Sequence, residues 1–468
     1  MIDETAGPRN ADEARHDAIT LRTAAGAWGS VALQTFGGPA GQIAVMHREI
    51  VEERRWVGEE RFLHALSYCT LLPGPEAQQL ATYLGWLLNG TAGGILAGAL
   101  FVLPGYIAIM ALSLLYAGFG DTTFVDAVFA GVAPAVLAIV AQAVRRISGR
   151  ALVNPFLIAI AVGSFVALAM FAVPFPFVVF GAAFIGFVGG RLKPSLLAPR
   201  KRRTTPNAAR VDEPAVAPLI ADTALAHAVP SASRTLRTFV ICAVAWIAPV
   251  LLLAAMFGSS SVFVTQARFF GGSALVTFGG AYAVLAYVAQ KAVNTYHWLL
   301  PGEMIKGLAM AETTPGPLIQ VVQFVAFLGA YRNPGSLDPW AAAIIASTLV
   351  TWVTYVPSFF FVFVGAPYVE RLRGNRRVTD ALTAITAAVV GVIANLGVYF
   401  AVHTLFSDVR ERSPGPFRFG LPMWHSFSRA AAVVCALGFG LVFRLRWSVL
   451  RVLGACAAVG GAIHLLAA

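Results

Sequence analysis

The sequence predicts an all-α polytopic membrane protein: two inverted-topology repeats, each with two broken, re-entrant helical hairpins plus about four transmembrane helices, joined by a linker and one extra transmembrane helix. Three observations predict it. Apolar residues make up 58% of 468 and charged residues only 12%, with a mean hydropathy of +0.72, whereas a soluble domain carries about 25% charged residues. A whole set of residues recurs at one constant offset. Corresponding loops of the two copies carry opposite charge character.

The elements follow in order. Residues 1–21 form a polar, acid-rich N-terminal segment without the apolar run of a cleavable signal peptide. The first repeat occupies 22–190. It opens with an arm at 22–36, a break at Gly37-Gly38-Pro39, and an arm at 39–53. A second pair follows at 59–72 and 75–89, broken at Pro73-Gly74-Pro75. Each arm of about 14 residues gives roughly 21 Å of helix, short of a ~30 Å hydrocarbon core. Such arms fit hairpins that enter and leave on one face; a kinked helix that crosses fully is the alternative. Apolar spans are expected at 91–118, 123–143, 152–171 and 175–190. A basic, Pro- and Ala-rich linker, 191–237, reads as disordered and cytoplasmic, and 238–258 as a connecting transmembrane helix. The second repeat, 259–468, has its spans near 338–365, 379–406, 426–443 and 447–466.

Duplication rests on spacing. Thr35-Phe36-Gly37-Gly38 recurs as Thr277-Phe278-Gly279-Gly280, Trp56 as Trp298, Leu66 as Leu308, Pro73-Gly74-Pro75 as Pro315-Gly316-Pro317, and Gln78 as Gln320, always 242 residues apart. Inversion rests on charge, because loops rich in Lys and Arg stay cytoplasmic. The turn after the first full span is "GFGDTT" in one copy and "ERLRGNRR" in the other. The hairpin loop 47–61 holds Arg48, Arg54, Arg55 and Arg61, while its counterpart 289–303 holds only Lys291. The long external loop 407–425 carries Arg410, Arg412 and Arg418, offset in part by Asp408 and Glu411. The net charge of +11 thus reports sidedness, and no nucleic-acid partner is expected. Cys69, Cys242, Cys435 and Cys456 lack metal-ligand or disulfide spacing.

Broken helices at membrane depth are tolerated only where protein or a water-filled cavity covers them. Helix N-termini there present unpaired N–H groups and the positive end of a dipole, which bind an anion without a full charge. Gly37, Gly38 and Gly74 leave the approach unobstructed, and Pro39, Pro75 and Pro317 suit a first helical turn. Four such tips form an expected anion cradle: Thr35, Phe36, Gly37, Gly38, Pro39 and Gln42; Pro73, Gly74, Pro75 and Gln78; Thr277, Gly279 and Gly280; and Pro315, Gly316, Pro317 and Gln320. Gly and Pro that merely permit tight packing or kinks are the alternative.

The stretches "TFGGPAGQIAVMHREIVEERRW", "LLPGPEAQQLATYLGW", "FVLPG" and "VTFGGAYAVLAYVAQKAVNTYHWLLPGEMIKGLAMAETTPGPLIQVVQF" resemble the chromate ion transporter family in its long, two-domain form. The resemblance implies a secondary transporter of the bacterial inner membrane that exports chromate, a tetrahedral oxyanion like sulfate, and confers resistance. Ala281 stands where the first copy has Pro39. A sulfate or other oxyanion transporter, a proton symporter and a passive anion channel remain alternatives. Membrane phosphatases also use inverted re-entrant hairpins, but "PGPEAQQ" and "PGPLIQV" supply neither a Ser nucleophile nor a phosphate-binding Arg, so no enzyme and no cofactor are expected.

Glu76 follows the first PGP and Glu312 precedes the second. Intramembrane carboxylates are costly, and beside a dianion one is a candidate to take up a coupling proton. For Glu76 a charge stabilising its own helix start is an equal alternative; for Glu312 the alternative is pairing with Lys306 or another base. Lys306 and Arg268 are electrostatic candidates, with snorkelling favoured for Arg268. Trp56, Trp86 and Trp298 read as interface markers. Expected partners are a chromate or sulfate oxyanion, the lipid bilayer and, where the chain self-associates, a second copy in a homodimer.

Overall fold

The computed structural model describes residues 19–36, 38–70, 72–120, 122–171, 173–192, 232–277, 281–365, 376–412 and 419–467. The polar N-terminal segment through residue 18, most of the expected linker (193–231) and the tip residues Gly37, Gly279 and Gly280 lie outside them.

Some helices open on a side-chain cap. In α1 (Leu21–Gln34) the Thr20 hydroxyl accepts from Thr23 N at 3.2 Å. α1 then buries Ala24, Ala27, Trp28, Val31 and Ala32 at helical spacing. After a break it is followed by α2 (Gly38–His47), extended by a π-helical turn Arg48–Glu53, and by α3 (Glu59–Cys69). α4 (Glu76–Phe119) is two helices in one, since Asn89 and Gly90 leave helical backbone and Gly90 adopts φ +63. The two parts fold back on each other so closely that a Cβ on Gly85 or Gly93 would strike the other's carbonyl. The expected arm 75–89 and span 91–118 are therefore present as one tight helical hairpin.

The first copy closes with α5 (Thr123–Ala151), α6 (Pro155–Phe171) and α7 (Phe175–Leu192). Pro155 sits in the first turn of α6, where the Asn154 side chain accepts from Leu157 N at 2.9 Å. After α8 (Ala232–Phe257) the second copy runs α9 (Val262–Leu275), α10 (Ala281–Asn294), α11 (Glu303–Thr313), a 3₁₀ turn Leu318–Gln320 leading into α12 (Val321–Arg332), and α13 (Pro339–Gly365). It ends with α14 (Arg376–Leu405), α15 (Arg429–Phe439), which continues as a π-helical turn to Arg444, and α16 (Val449–Ala467). Among the described residues, seven helices are long and apolar enough to cross a bilayer. The all-α polytopic class therefore holds. One addition is a short antiparallel pair, Val409–Arg412 with Phe419–Pro422, in the loop between α14 and α15.

Packing sorts the chain by position within each copy as well as by half. α5, α6 and α7 pack on α14 and α16 of the other half. Small residues permit this: a Cβ on Gly131 of α5 would run into Cys456 and Ala457 of α16, and one on Gly391 of α14 into Ala161 of α6. A separate apolar cluster ties α1, α2, α3 and the first arm of α4, with Trp28, Phe62, Leu80 and Leu84 at its centre.

The connecting helix α8 buries no residue fully and lies at the periphery against α13. Pro249 in α8 and Pro357 in α13 each lack the N–H that would bond the carbonyl four residues back, freeing those of Ala245 and Val353. The opposite helix supplies the donor each time: Trp246 Nε1 to Val353 O at 3.0 Å and Trp352 Nε1 to Ala245 O at 2.7 Å. In hydrocarbon an unpaired carbonyl costs several kcal/mol, so the reciprocal indoles define where α8 docks.

The tryptophans read as interface markers sit inside instead. Trp56 and Trp86 are each 6% exposed and Trp298 3%. Trp298 is stacked on Tyr296 at 4.3 Å. Close behind it, Arg332 donates to both Glu303 carboxylate oxygens at 2.7 Å, and Tyr116 OH donates to the same group at 3.0 Å. This ion pair, with Glu303 buried and Arg332 reaching solvent, closes the second copy's hairpin loop.

Candidate functional site

Three of the breaks place a described glycine where only glycine is comfortable. Gly74 (φ +127) and Gly316 (φ +104) are the centres of the two PGP tips, and Gly38 (φ +78) opens α2. The PGP glycines then reach across to the other half. Gly74 N donates to Thr277 O at 2.7 Å, and Gly316 N donates to Thr35 O at 3.0 Å. The two bonds are equivalent under the 242-residue offset: each PGP tip of one copy is held by the threonine at the TFGG tip of the other. The four breaks are therefore joined in two pairs, each across the two copies, although the partners are far apart in the chain.

The surrounding side chains lock this arrangement. Gln42, 1% exposed, donates Nε2 to Gly316 O at 2.6 Å. Gln79 Nε2 donates to Pro73 O at 2.7 Å. Gln78 donates to the Thr82 hydroxyl at 3.0 Å, and Gln320 to the Thr351 hydroxyl at 3.2 Å. The hydroxyls of Thr35 and Thr277 return to their own helices, at Ala32 O (2.8 Å) and Ser273 O (2.6 Å), so these residues act here through their carbonyls. Gly105 of α4 presses against the second tip: a Cβ there would lie 2.7 Å from Pro315 O. Phe36 continues the α1 break, its N–H bonding Gln34 O at 3.0 Å.

The expected donors thus divide in two. The amides of Gly74 and Gly316 are already taken by threonine carbonyls. What remains is the first turn of each following helix, whose N–H groups have no carbonyl four residues back. Pro75 caps α4 and Pro317 the 3₁₀ turn before α12, both from extended backbone. Pro39 lies in the first turn of α2. The dipole at such a start is worth roughly half a positive charge. Several fully buried polar atoms beside the tips have no partner among the described residues, including the carboxamide oxygens of Gln42, Gln78, Gln79 and Gln320. Buried polar groups are normally satisfied by protein, water or a bound molecule.

The charged candidates fall in different places. Glu76 begins α4 at the tip and is partly exposed. Glu312 is 2% exposed and accepts a short hydrogen bond from Tyr282 OH, at the start of α10. Arg146 of α5 acts electrostatically on both Glu312 and Tyr282. Lys306, the anticipated partner of Glu312, instead pairs with Asp126 at 3.3 Å and lies against the rings of Tyr116 and Phe129. It lines a cavity of about 340 Å³ with His403 and His464. Arg268 is exposed and lines another, of about 540 Å³, with Tyr287 and Tyr296. Among the described residues, neither base makes a hydrogen bond or ion pair with a tip. Tyr282 and Arg146 escaped the sequence reading because neither belongs to a broken motif; the "GGAY" that places Tyr282 one residue past a tip was the available signal.

Comparison with known proteins matches the chain to the family model described as chromate transporter, over residues 23–187 and 264–461. A chromate transport protein of Pseudomonas aeruginosa is 32% identical over 364 residues, 77% of this chain and 76% of the relative. A chromate transport protein of Cupriavidus metallidurans is 28% identical over 79% of this chain and 80% of its own length. A probable chromate transport protein of Synechococcus elongatus is 27% identical over 79% and 82%. No solved structure gives a significant match.

Proposed function

This chain belongs to the chromate transporter family, and we propose from that premise that it exports chromate by alternating access of two inverted halves. It is a multi-pass protein of the bacterial inner membrane, as its bacterial relatives and apolar helices indicate. The observation that carries the proposal is the reciprocal pairing of Gly74 with Thr277 and Gly316 with Thr35. It joins the four helix breaks in two pairs, each across the halves, which supports reading them as the two sides of one locus rimmed by helix starts. An anion held there would contact both halves, and rocking one half against the other would change the face on which the locus opens. The paired bonds are what must shift in that motion.

The physics favours efflux. With the interior negative, each charge moved across 100 mV is worth about 2.3 kcal/mol, so a dianion is helped outward by roughly twice that. Inward movement would need coupled cations. Chromate and sulfate are both tetrahedral dianions, and dipole tips bind either; the relatives' names favour chromate. Those relatives are transporters rather than enzymes. Glu76 and Glu312 are the residues proposed to carry a coupling proton.

The test is transport in everted membrane vesicles. Export predicts accumulation of chromate inside them against its gradient when the membrane is energised, competed by sulfate to the extent that the site accepts both. Accumulation that goes no further than the membrane potential alone sustains, and vanishes when that potential is collapsed under an imposed pH gradient, would make the protein a passive channel; absence of any chromate flux would remove the assignment.

A further inference from the structure

α13 presents a row of hydroxyls at 347, 351, 354 and 358, a 4-3-4 spacing that keeps them on one face of a helix. At one end the row serves the second PGP tip: the Ser347 hydroxyl donates to Gln323 O at 3.2 Å, and Thr351 accepts from Gln320. At the other end it reaches the first tip, where a Cβ on Gly74 would lie 2.6 Å from the Ser358 hydroxyl oxygen and 2.8 Å from Gln79 Nε2. One helix face therefore touches the first PGP tip and the turn that follows the second.

The row is not uniform in its bonding. Thr348, off the row, bonds Ile344 O at 2.8 Å, and Thr351 bonds Ser347 O at 2.9 Å, the ordinary resort of a hydroxyl in a helix. Thr354 and Ser358 do neither. They are 2% and 1% exposed, and their hydroxyls have no partner among the described residues. A buried hydroxyl that declines the carbonyl behind it and finds no other group is costly unless something else occupies it.

The two copies differ at these positions. Setting Leu103-Pro104-Gly105 against Val356-Pro357-Ser358 places Gly94, Gly98, Phe101 and Gly105 opposite Ser347, Thr351, Thr354 and Ser358. In the first copy those glycines let α4 close on itself and on Pro315, with no polar side chain to offer. Donors are also scarce among the amides nearby. Gln42, Gln78 and Gln79 each commit an N–H to a protein oxygen, and Gly74 and Gly316 commit their backbone amides.

We propose that Ser358, beside the first PGP tip, and Thr354, one turn back on the same helix face, bind the transported oxyanion directly, donating their hydroxyls to its oxygens. The inference rests on the tip site proposed above and adds the side chains that complete it. The anion is held asymmetrically: helix starts come from both halves, and the hydroxyls come from the second half alone. A hydroxyl suits a tetrahedral oxyanion that must also leave, because it supplies a hydrogen bond without the fixed charge of an arginine.

The experiment is chromate transport by the full-length protein in proteoliposomes, with KM and maximal rate measured separately. Loss of one hydrogen bond to a charged ligand raises KM about tenfold or more. Ser358→Ala and Thr354→Val are expected to show that increase with maximal rates within about twofold of wild type, Ser358→Thr to restore affinity, and Thr348→Val to leave it unchanged. A Ser358→Ala protein that fails to fold leaves the near-isosteric Thr354→Val to decide. Wild-type KM in both Ser358→Ala and Thr354→Val, beside an active parent, would overturn the inference and spare the tip site. A parent that moves neither chromate nor sulfate would remove the tip reading and this inference with it.

Discussion

Replacing Gly316 by alanine attacks the proposed site at the point where its two halves meet. The residue sits at φ +104, a region that costs an L-residue about 1–3 kcal/mol. Its new Cβ would lie 3.3 Å from Gly105 Cα and 3.4 Å from Gly105 N. These are helix backbone atoms that cannot swing aside, and overpacking of this kind adds about 1–3 kcal/mol. Relief requires the tip to move, which stretches the 3.0 Å bond to Thr35 O and the Gln42 bond to Gly316 O, each worth about 0.5–1.5 kcal/mol. These terms overlap, and a net cost of roughly 2–5 kcal/mol is expected, within what a folded protein of about 5–15 kcal/mol can survive. Thermal unfolding in detergent should therefore shift downward, and chromate transport should fall at least tenfold. Gly335→Ala is the control: its φ is +65, but nothing lies within 4 Å of a new Cβ, so it carries backbone strain without touching a tip. It should transport normally. A Gly316→Ala protein with unchanged melting and transport within twofold of wild type would refute the view that the tip contact is mechanically important.

Three further outcomes follow from the geometry. Glu312→Gln, and separately Tyr282→Phe, which removes the hydroxyl bonded to that carboxylate, should each alter the pH dependence of transport, as should Glu76→Gln if it is the proton carrier; a pH profile that overlays the parent's takes the mutated residue out of the coupling step. Arg332→Ala leaves the Glu303 carboxylate, 5% exposed, without its bidentate partner and should cost on the order of 2–3 kcal/mol, discounted from a fully buried pair because Arg332 is partly exposed; a melting temperature equal to wild type would contradict this. The double change Trp246→Phe with Trp352→Phe keeps one aromatic ring at each place but strands two carbonyls beside Pro249 and Pro357, and should loosen α8, seen as faster proteolysis around residues 232–257 and a loss of about 1–3 kcal/mol; equal protease resistance would contradict it.

Much of the architecture was legible because membrane helices and their breaks are written locally. Gly and Pro mark the breaks at 37–39, 73–75 and 315–317, and the helices flank them within a few residues of the expected arms. The apolar run of the connecting helix was equally plain, although α8 begins at Ala232, earlier than 238. Long-range chemistry was not legible. Nothing local says that Gly74 bonds Thr277 or that Lys306 prefers Asp126, 180 residues away, to Glu312. The tryptophans were misjudged because their bulk suits a membrane interface and a helix junction alike, and only packing decides. The hydroxyl row of α13 was visible as a 4-3-4 spacing, but its meaning depends on which tips that face meets.

The most direct measurement is the position of chromium in crystals of the full-length protein soaked with chromate, located by its anomalous scattering. A single strong peak among the four breaks, within hydrogen-bond reach of the first turn of α4 and of Ser358, is the predicted result. Occupancy confined to the Lys306 or Arg268 cavity, with the tips still closed on one another, would contradict it.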